Sequence, residues 1–218
     1  MEGVANKLKW GLVIAAAPEA DLEYIRRIYQ TLPQPLTLCA DGGLQKARRL
    51  GIPCDLLIGD MDSGGLEGAD GGEGAEQIRL PAEKDFTDTQ SCLEEAARRG
   101  CDAVVLTGAS GGRLDHLLCN LHLLEALESR GVRGYLADKD NLVQLLQNGP
   151  VEVPACYRYF SLLPIDEKLE GVTIRGAKYP LENRTVGRAD SLTVSNEASA
   201  GAVEIQIRRG RAFLIFSR

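Results

Sequence analysis

Two short acidic clusters have the residue types and spacing to act together. Gly59-Asp60-Met61-Asp62-Ser63 follows the apolar run Leu56-Leu57-Ile58, and Lys84-Asp85-Phe86-Thr87-Asp88 precedes a helical pattern. The apolar run reads as a buried strand. Asp60 and Asp62 therefore emerge at a strand's C-terminal tip, where open α/β sheets bind their ligands. Gly59 permits a turn that brings both carboxylates to one place. Such oxygen ligands suit Mg²⁺, which takes one or two carboxylates plus substrate phosphates. Asp60, Asp62 and Asp85 form the expected metal set. Asp85 and Asp88 have a second use, as charges that complement the dipole of the helix starting at Thr87. A carboxylate cluster is costly unless a cation neutralises it, which favours the metal.

Two other segments are suited to anions. Asp41-Gly42-Gly43 ends one apolar strand and opens a helix, and Gly108 to His116 does the same after Ala103–Thr107. A glycine-rich turn at a helix N-terminus, with Arg113 beside it, makes an anion site. Asp41 either caps its helix or serves the site. His116 is open in the same way, between capping and a direct role. Neither the dinucleotide fingerprint nor a P-loop occurs.

The elements that must position these residues follow a strand–helix alternation. Trp10–Ala16, Leu36–Ala40, Asp55–Ile58, Ile78–Pro81, Ala103–Thr107, Val132–Ala137 and Leu142–Leu146 read as strands. Helices are expected from Pro18 to Thr31, after Gly43, from Thr87 to Arg99 and from Leu114 to Arg130, the last with a leucine stripe facing the core. This is a parallel-sheet pattern. Gly64–Gln77, rich in glycine and acids, reads as a loop or lid. Gln147–Pro154 reads as a junction, followed by short strands at Tyr157–Leu163, Val172–Arg175, Ser191–Val194, Val203–Ile207 and Ala212–Phe216. The expected fold is α/β. Residues 1–148 form a Rossmann-like, mostly parallel sheet with flanking helices, and residues 149–218 a small all-β sandwich.

Bulk properties narrow the function. The chain has 218 residues and a formal charge of −6, which argues against a nucleic-acid binder. An anionic substrate must then be admitted locally, through a metal or a few basic groups. Six cysteines without a CxxC pair suit reduced core positions in the cytoplasm. No run is long enough to span a membrane, and no signal peptide is visible.

In order and spacing, these motifs, together with Tyr179-Pro180-Leu181 and Ser195-Asn196-Glu197, resemble the thiamine pyrophosphokinase family along nearly the whole chain. The resemblance implies transfer of a diphosphate from ATP to the hydroxyl of thiamine, giving thiamine diphosphate and AMP. It implies a homodimer whose active site lies where the first domain of one subunit meets the second domain of the other. Asp60, Asp62 and Asp85 would surround Mg²⁺ and the phosphates, Asp88 would order that acidic site, and Lys84 and Arg113 would offset phosphate charge. Asp41, Gly42, Ser63, Thr107, Gly108, Gly111, Gly112, Asp115 and His116 would complete the nucleotide pocket. Ser195 and Asn196 would hold the thiamine pyrimidine. Some members stack thiamine on a second-domain tryptophan, whereas the single tryptophan here is Trp10. A pterin alcohol diphosphokinase and a non-catalytic ATP sensor are the competing readings.

Overall fold

The computed structural model describes residues 8–18, 20–60, 74–81, 83–199 and 202–218. The chain divides into two compact units between Lys139 and Asp140. The first contains β1 (Trp10–Ile14), α1 (Leu22–Thr31), β2 (Leu36–Ala40), α2 (Gly43–Leu50), β3 (Leu56–Gly59), β4 (Glu76–Arg79), α3 (Asp88–Arg98), β5 (Ala103–Thr107), α4 (Leu114–Glu128) and β6 (Arg133–Ala137). Its strands lie in the order β4-β3-β2-β1-β5-β6, every pair parallel. The central strands are buried nearly throughout. This is why they read as continuous apolar runs rather than alternating ones. The chain steps outward from β1 to β2 and β3, then returns to β5 on the other side of β1. The strand order reverses there, and open parallel sheets bind ligands at such a point.

Local signals set the helix starts. α1 begins at Leu22 rather than Pro18, because the Asp21 carboxylate accepts the Tyr24 amide at 2.9 Å and caps it. Thr87 caps α3 by accepting the Gln90 amide at 3.1 Å. The Gln90 side chain donates to Glu94 at 3.1 Å rather than back to Thr87, so the reciprocal half of a capping box does not form. The leucine stripe of α4 divides. Leu124 and Leu127 are buried, whereas Leu114 is 66% and Leu118 50% exposed. The buried pair packs on Gly134 of β6, where a Cβ would stand 3.0 Å from both side chains. Of the expected lid, residues 64–73 lie outside the described residues, and Glu76–Gln77 belong to β4. Among the described residues no helix is long and apolar enough to cross a membrane.

The second unit contains β7 (Asn141–Leu145), β8 (Gly149–Val151), β9 (Tyr159–Pro164), β10 (Lys168–Arg175), β11 (Leu181–Gly187), β12 (Val203–Gln206) and β13 (Ala212–Ser217). Strands β7-β13-β9 and β11-β10-β12-β8 are antiparallel sets. Phe160, Leu162, Leu214 and Phe216 from the first set share one core with Leu169, Ile174, Val186 and Ile205 from the second. Two sheets over one core make a β-sandwich. The unit starts before the expected boundary at 148/149, because Asn141–Leu145 pairs in full with β13. Ser191–Val194 is a turn, not a strand: Val194 N–H donates to the Ser191 carbonyl at 3.1 Å. β8 falls inside the expected junction. β11 has exposed polar residues over most of its length, which left no apolar pattern to read.

Candidate active site

In the first unit, the loops after β1, β2 and β5 converge with the start of α3 around a cavity of about 470 Å³. Ala15-Ala16-Ala17-Pro18 follows β1, Ala40-Asp41 ends β2, and Thr87-Asp88-Thr89 opens α3. Ala109, Gly111, Gly112 and Arg113 come from the turn after β5, and His116 and Asn120 from α4. All of this lies at the point where the strand order reverses.

Close backbone approach explains two glycines. A Cβ on Gly43 would stand 2.0 Å from the Ile14 carbonyl oxygen, so α2 can start against β1 only without a side chain there. Gly108 has φ +64°, and its Cβ would meet the Ala15 oxygen at 2.7 Å. The loop after β1 is thereby seated on the tip of β5, with Ala15 N–H donating to the Thr107 oxygen at 2.9 Å and Ala17 N–H to the Gly108 oxygen at 2.8 Å. Asp41 adopts φ +44°, an uncommon region for a residue with a side chain. Its N–H donates to the Ile58 oxygen at 2.9 Å and its carbonyl accepts from Leu44 at 3.1 Å. It thus starts α2 with its main chain, and its side chain joins the cavity lining.

The expected site residues separate accordingly. Asp41, Asp88, Gly111, Gly112, Arg113 and His116 line the cavity. Gly42, Asp60, Lys84, Asp85, Thr107, Gly108 and Asp115 do not. Asp62 and Ser63 lie outside the described residues. Asp60 is half-buried just beyond β3, and Asp85 is exposed in the turn before α3. Among the described residues no three metal-competent side chains come together. Lys84 places Nζ 2.8 Å from Asp88 Oδ1 and 3.3 Å from the Pro81 oxygen, so the lysine expected for phosphate holds Asp88. Arg113 grips Asp115 at both ends, Nε to Oδ1 at 3.1 Å and Nη2 to Oδ2 at 2.6 Å. That guanidinium, with the His116 N–H that Asp115 also accepts, holds the Asp115 carboxyl down at about 2. A phosphate reaching Arg113 must share it with Asp115. Thr107 is buried at the end of β5, and its Oγ1 has no hydrogen-bond partner among the described residues.

Sequence reasoning missed the loop Ala15–Pro18 and Asn120. Both carried a signal: small residues at a strand tip in the first, and a polar residue one turn beyond His116 in a leucine-rich helix in the second.

In the second unit, Ser195 is exposed at φ +57°, with its N–H donated to Ser161 Oγ at 2.9 Å. Asn196 is 3% exposed. Its Oδ1 accepts the Tyr179 and Glu197 amides at 3.0 and 2.9 Å, and its Nδ2 donates to the Tyr179 carbonyl at 2.8 Å. The side chain expected to touch a ligand is engaged with the main chain on both sides of Tyr179. The residue it displays is Tyr179, an aromatic ring 55% exposed with the Lys178 ammonium 5.5 Å from its centroid. Lys178 is in turn held by Glu197 at 2.7 Å.

Known proteins share this fold. A family model described as thiamin pyrophosphokinase, catalytic domain, matches residues 31–136, and one described as thiamin pyrophosphokinase, vitamin B1 binding domain, matches residues 150–211. Thiamine pyrophosphokinase of Bacillus subtilis (strain 168) is 36% identical over 118 residues, 53% of this chain. In that alignment the chain spans about half, 55%, of the relative's length. Thiamine pyrophosphokinase 2 of Oryza sativa subsp. japonica is 26% identical over 204 residues, covering 78% of this chain and 74% of that one. In structure, the crystal form of the Bacillus subtilis thiamine pyrophosphokinase superposes with a TM-score of 0.84 at 26% identity, over 96% of this chain and 99% of that one. That of Geobacillus thermodenitrificans gives 0.83 at 26%, over 96% and 97%.

Proposed function

Because this chain belongs to the thiamine pyrophosphokinase family, we propose that it transfers the terminal diphosphate of ATP to the hydroxyl of thiamine. One observation carries the reading: a cavity at the reversal point of a parallel sheet joins Asp41, Asp88, a paired-glycine turn and Arg113. A thiamine oxygen bonds to the β-phosphorus as the bridge to the α-phosphate breaks, and AMP departs with that bridging oxygen. Such a transition state is loose and needs alignment and charge neutralisation more than covalent help.

The donors at the acidic end are carboxylate oxygens, the chemistry that suits Mg²⁺. Asp60 and Asp85, with Asp62, would hold the ion, which supplies charge neutralisation at the phosphates. The chain's own residues do the rest. Gly111 and Gly112 leave main-chain room for phosphate, and Arg113, shared with Asp115, meets its charge. Asp41 and His116 bound the nucleotide. Asp88, the acid of its turn that lines the cavity, takes the hydroxyl proton, while Lys84 fixes its orientation. In the second unit the exposed Tyr179 ring offers a face for the thiamine ring, and Ser195 a hydroxyl beside it. We further propose a cytoplasmic homodimer in which these two surfaces come from different subunits.

The test is AMP formation from MgATP with thiamine and with a hydroxymethylpterin in parallel. AMP only with thiamine is expected. AMP with the pterin alone, or ATP binding with no turnover on either acceptor, would replace this reading.

A further inference from the structure

The carbonyl groups of the loop after β1 are held by a side chain that is not itself part of the cavity lining. Lys46, on α2, donates from Nζ to the Ala15 oxygen at 2.9 Å and to the Ala17 oxygen at 2.6 Å. The amides of the same two residues go to the tip of β5. Ala15–Ala17 is thus fixed on both edges, by β5 through its N–H groups and by Lys46 through its C=O groups. On the other flank, buried Asn120 donates to the Ala109 oxygen at 3.2 Å. Lys46 itself is not among the residues that line the cavity, whereas Ala15 and Ala17 are.

An anion makes this arrangement consequential. A carbonyl oxygen turned toward a phosphate repels it, and an ammonium a few ångströms behind the wall attracts it. Lys46 is half-buried, and burial lowers it to about 8, so near neutral pH it still carries its proton. A lysine needed only to end α2 would sit in solvent, as Arg48 and Arg49 do in that helix's last turn.

We propose that Lys46 is a positioning residue for the nucleotide, turning the Ala15 and Ala17 carbonyls from the phosphates and placing a fixed positive charge behind the loop. This rests on the reading of the cavity as the ATP site.

Lys46→Met, Lys46→Gln and Lys46→Arg test it in the full chain. Charge-assisted hydrogen bonds of this kind support a rise of about tenfold in the KM for ATP with Lys46→Met. The KM for thiamine and the saturated kcat should stay within about twofold, since neither acceptor binding nor the chemical step uses Lys46. Lys46→Arg should restore ATP affinity, and Lys46→Gln, which keeps an N–H but no charge, should fall between. If Lys46→Met does not fold, Lys46→Gln is judged by the same split. Equal losses in both KM values and kcat, or an unchanged ATP KM in a folded variant, overturns the inference. Calorimetric titration of wild type with MgATP separates the two levels. No binding by wild type removes the ATP site itself. Binding that is equal in wild type and Lys46→Met removes only the role of Lys46.

Discussion

In the first unit, three loops meet because parallel strands end on the same edge, and a charged side chain from α2 ties one loop down from behind. In the second, antiparallel strands supply no common edge, and the exposed Tyr179 and Ser195 segments are joined by the neutral amide of Asn196. Each unit thus fixes its candidate surface with one side chain bonded to main-chain groups. The difference lies in what faces the ligand. The first unit offers carboxylates, glycine backbone and Arg113, suited to phosphate and metal. The second offers an aromatic face and a hydroxyl, suited to a flat organic ring.

Three measurements bear on that division. The largest effect is expected from Asp60→Asn. With Asp60 in the proposed metal-holding role, its loss should lower kcat by about 10²–10³-fold while the thermal midpoint stays near wild type. Near-normal turnover would remove Asp60 from the phosphate-facing set and blur the contrast between the units.

Asn196→Ala should act differently. It leaves the Tyr179 and Glu197 amides and the Tyr179 carbonyl without their partner, in a side chain that is 3% exposed. A loss of about 1–3 kcal/mol in urea unfolding is expected. Thiamine KM should rise and calorimetric ATP affinity should not change. Ser195→Ala, at an exposed position, should alter thiamine KM with no measurable loss of stability. If Asn196→Ala weakens ATP binding as strongly as thiamine use, the two surfaces are not separable.

The smallest effect is a pH dependence confined to Lys46 in the first unit. Lys46 is lowered by burial from 10.5 to about 8. Below about 8, folded and unfolded chains both hold the proton, and the cost of burying the charge is fully present. Between about 8 and 10.5 the folded chain releases it first, so wild-type stability rises relative to Lys46→Met. Partial exposure screens the effect and keeps it small. Urea midpoints of the two proteins at about pH 7 and about pH 10 should therefore diverge in favour of wild type. Asn196 carries no titrating proton, so Asn196→Ala should show no such divergence. A constant Lys46→Met difference across that range would mean that its ammonium is solvated.

Much of the first unit could be read from the chain. Its central strands are buried nearly throughout, so they appear as unbroken apolar runs, and an acid or glycine marks the tips of β2, β3 and β5. Asp41, Asp88, Gly111, Gly112, Arg113 and His116, each at a strand tip or a helix start in the sequence, line one cavity in the fold. The second unit was less readable. The exposed polar residues of β11 leave no pattern, and Ser191–Val194 has strand-like residues held in a turn by neighbours far along the chain, including Leu162, whose carbonyl accepts the Thr193 hydroxyl at 2.7 Å. The leucines of α4 show the same limit: their spacing defines a helix, but only packing against β6 decides which of them are covered.

Sequence alone determined the residue types available for chemistry and the order in which strand tips deliver them, because burial and turn formation are local preferences. Only the tertiary structure decided the partners. It set Lys46 on the Ala15 and Ala17 carbonyls and Asn196 on the main chain of Tyr179. A hydrogen bond between residues far apart in sequence depends on where two main chains pass within 3 Å or so, and no local pattern records that distance.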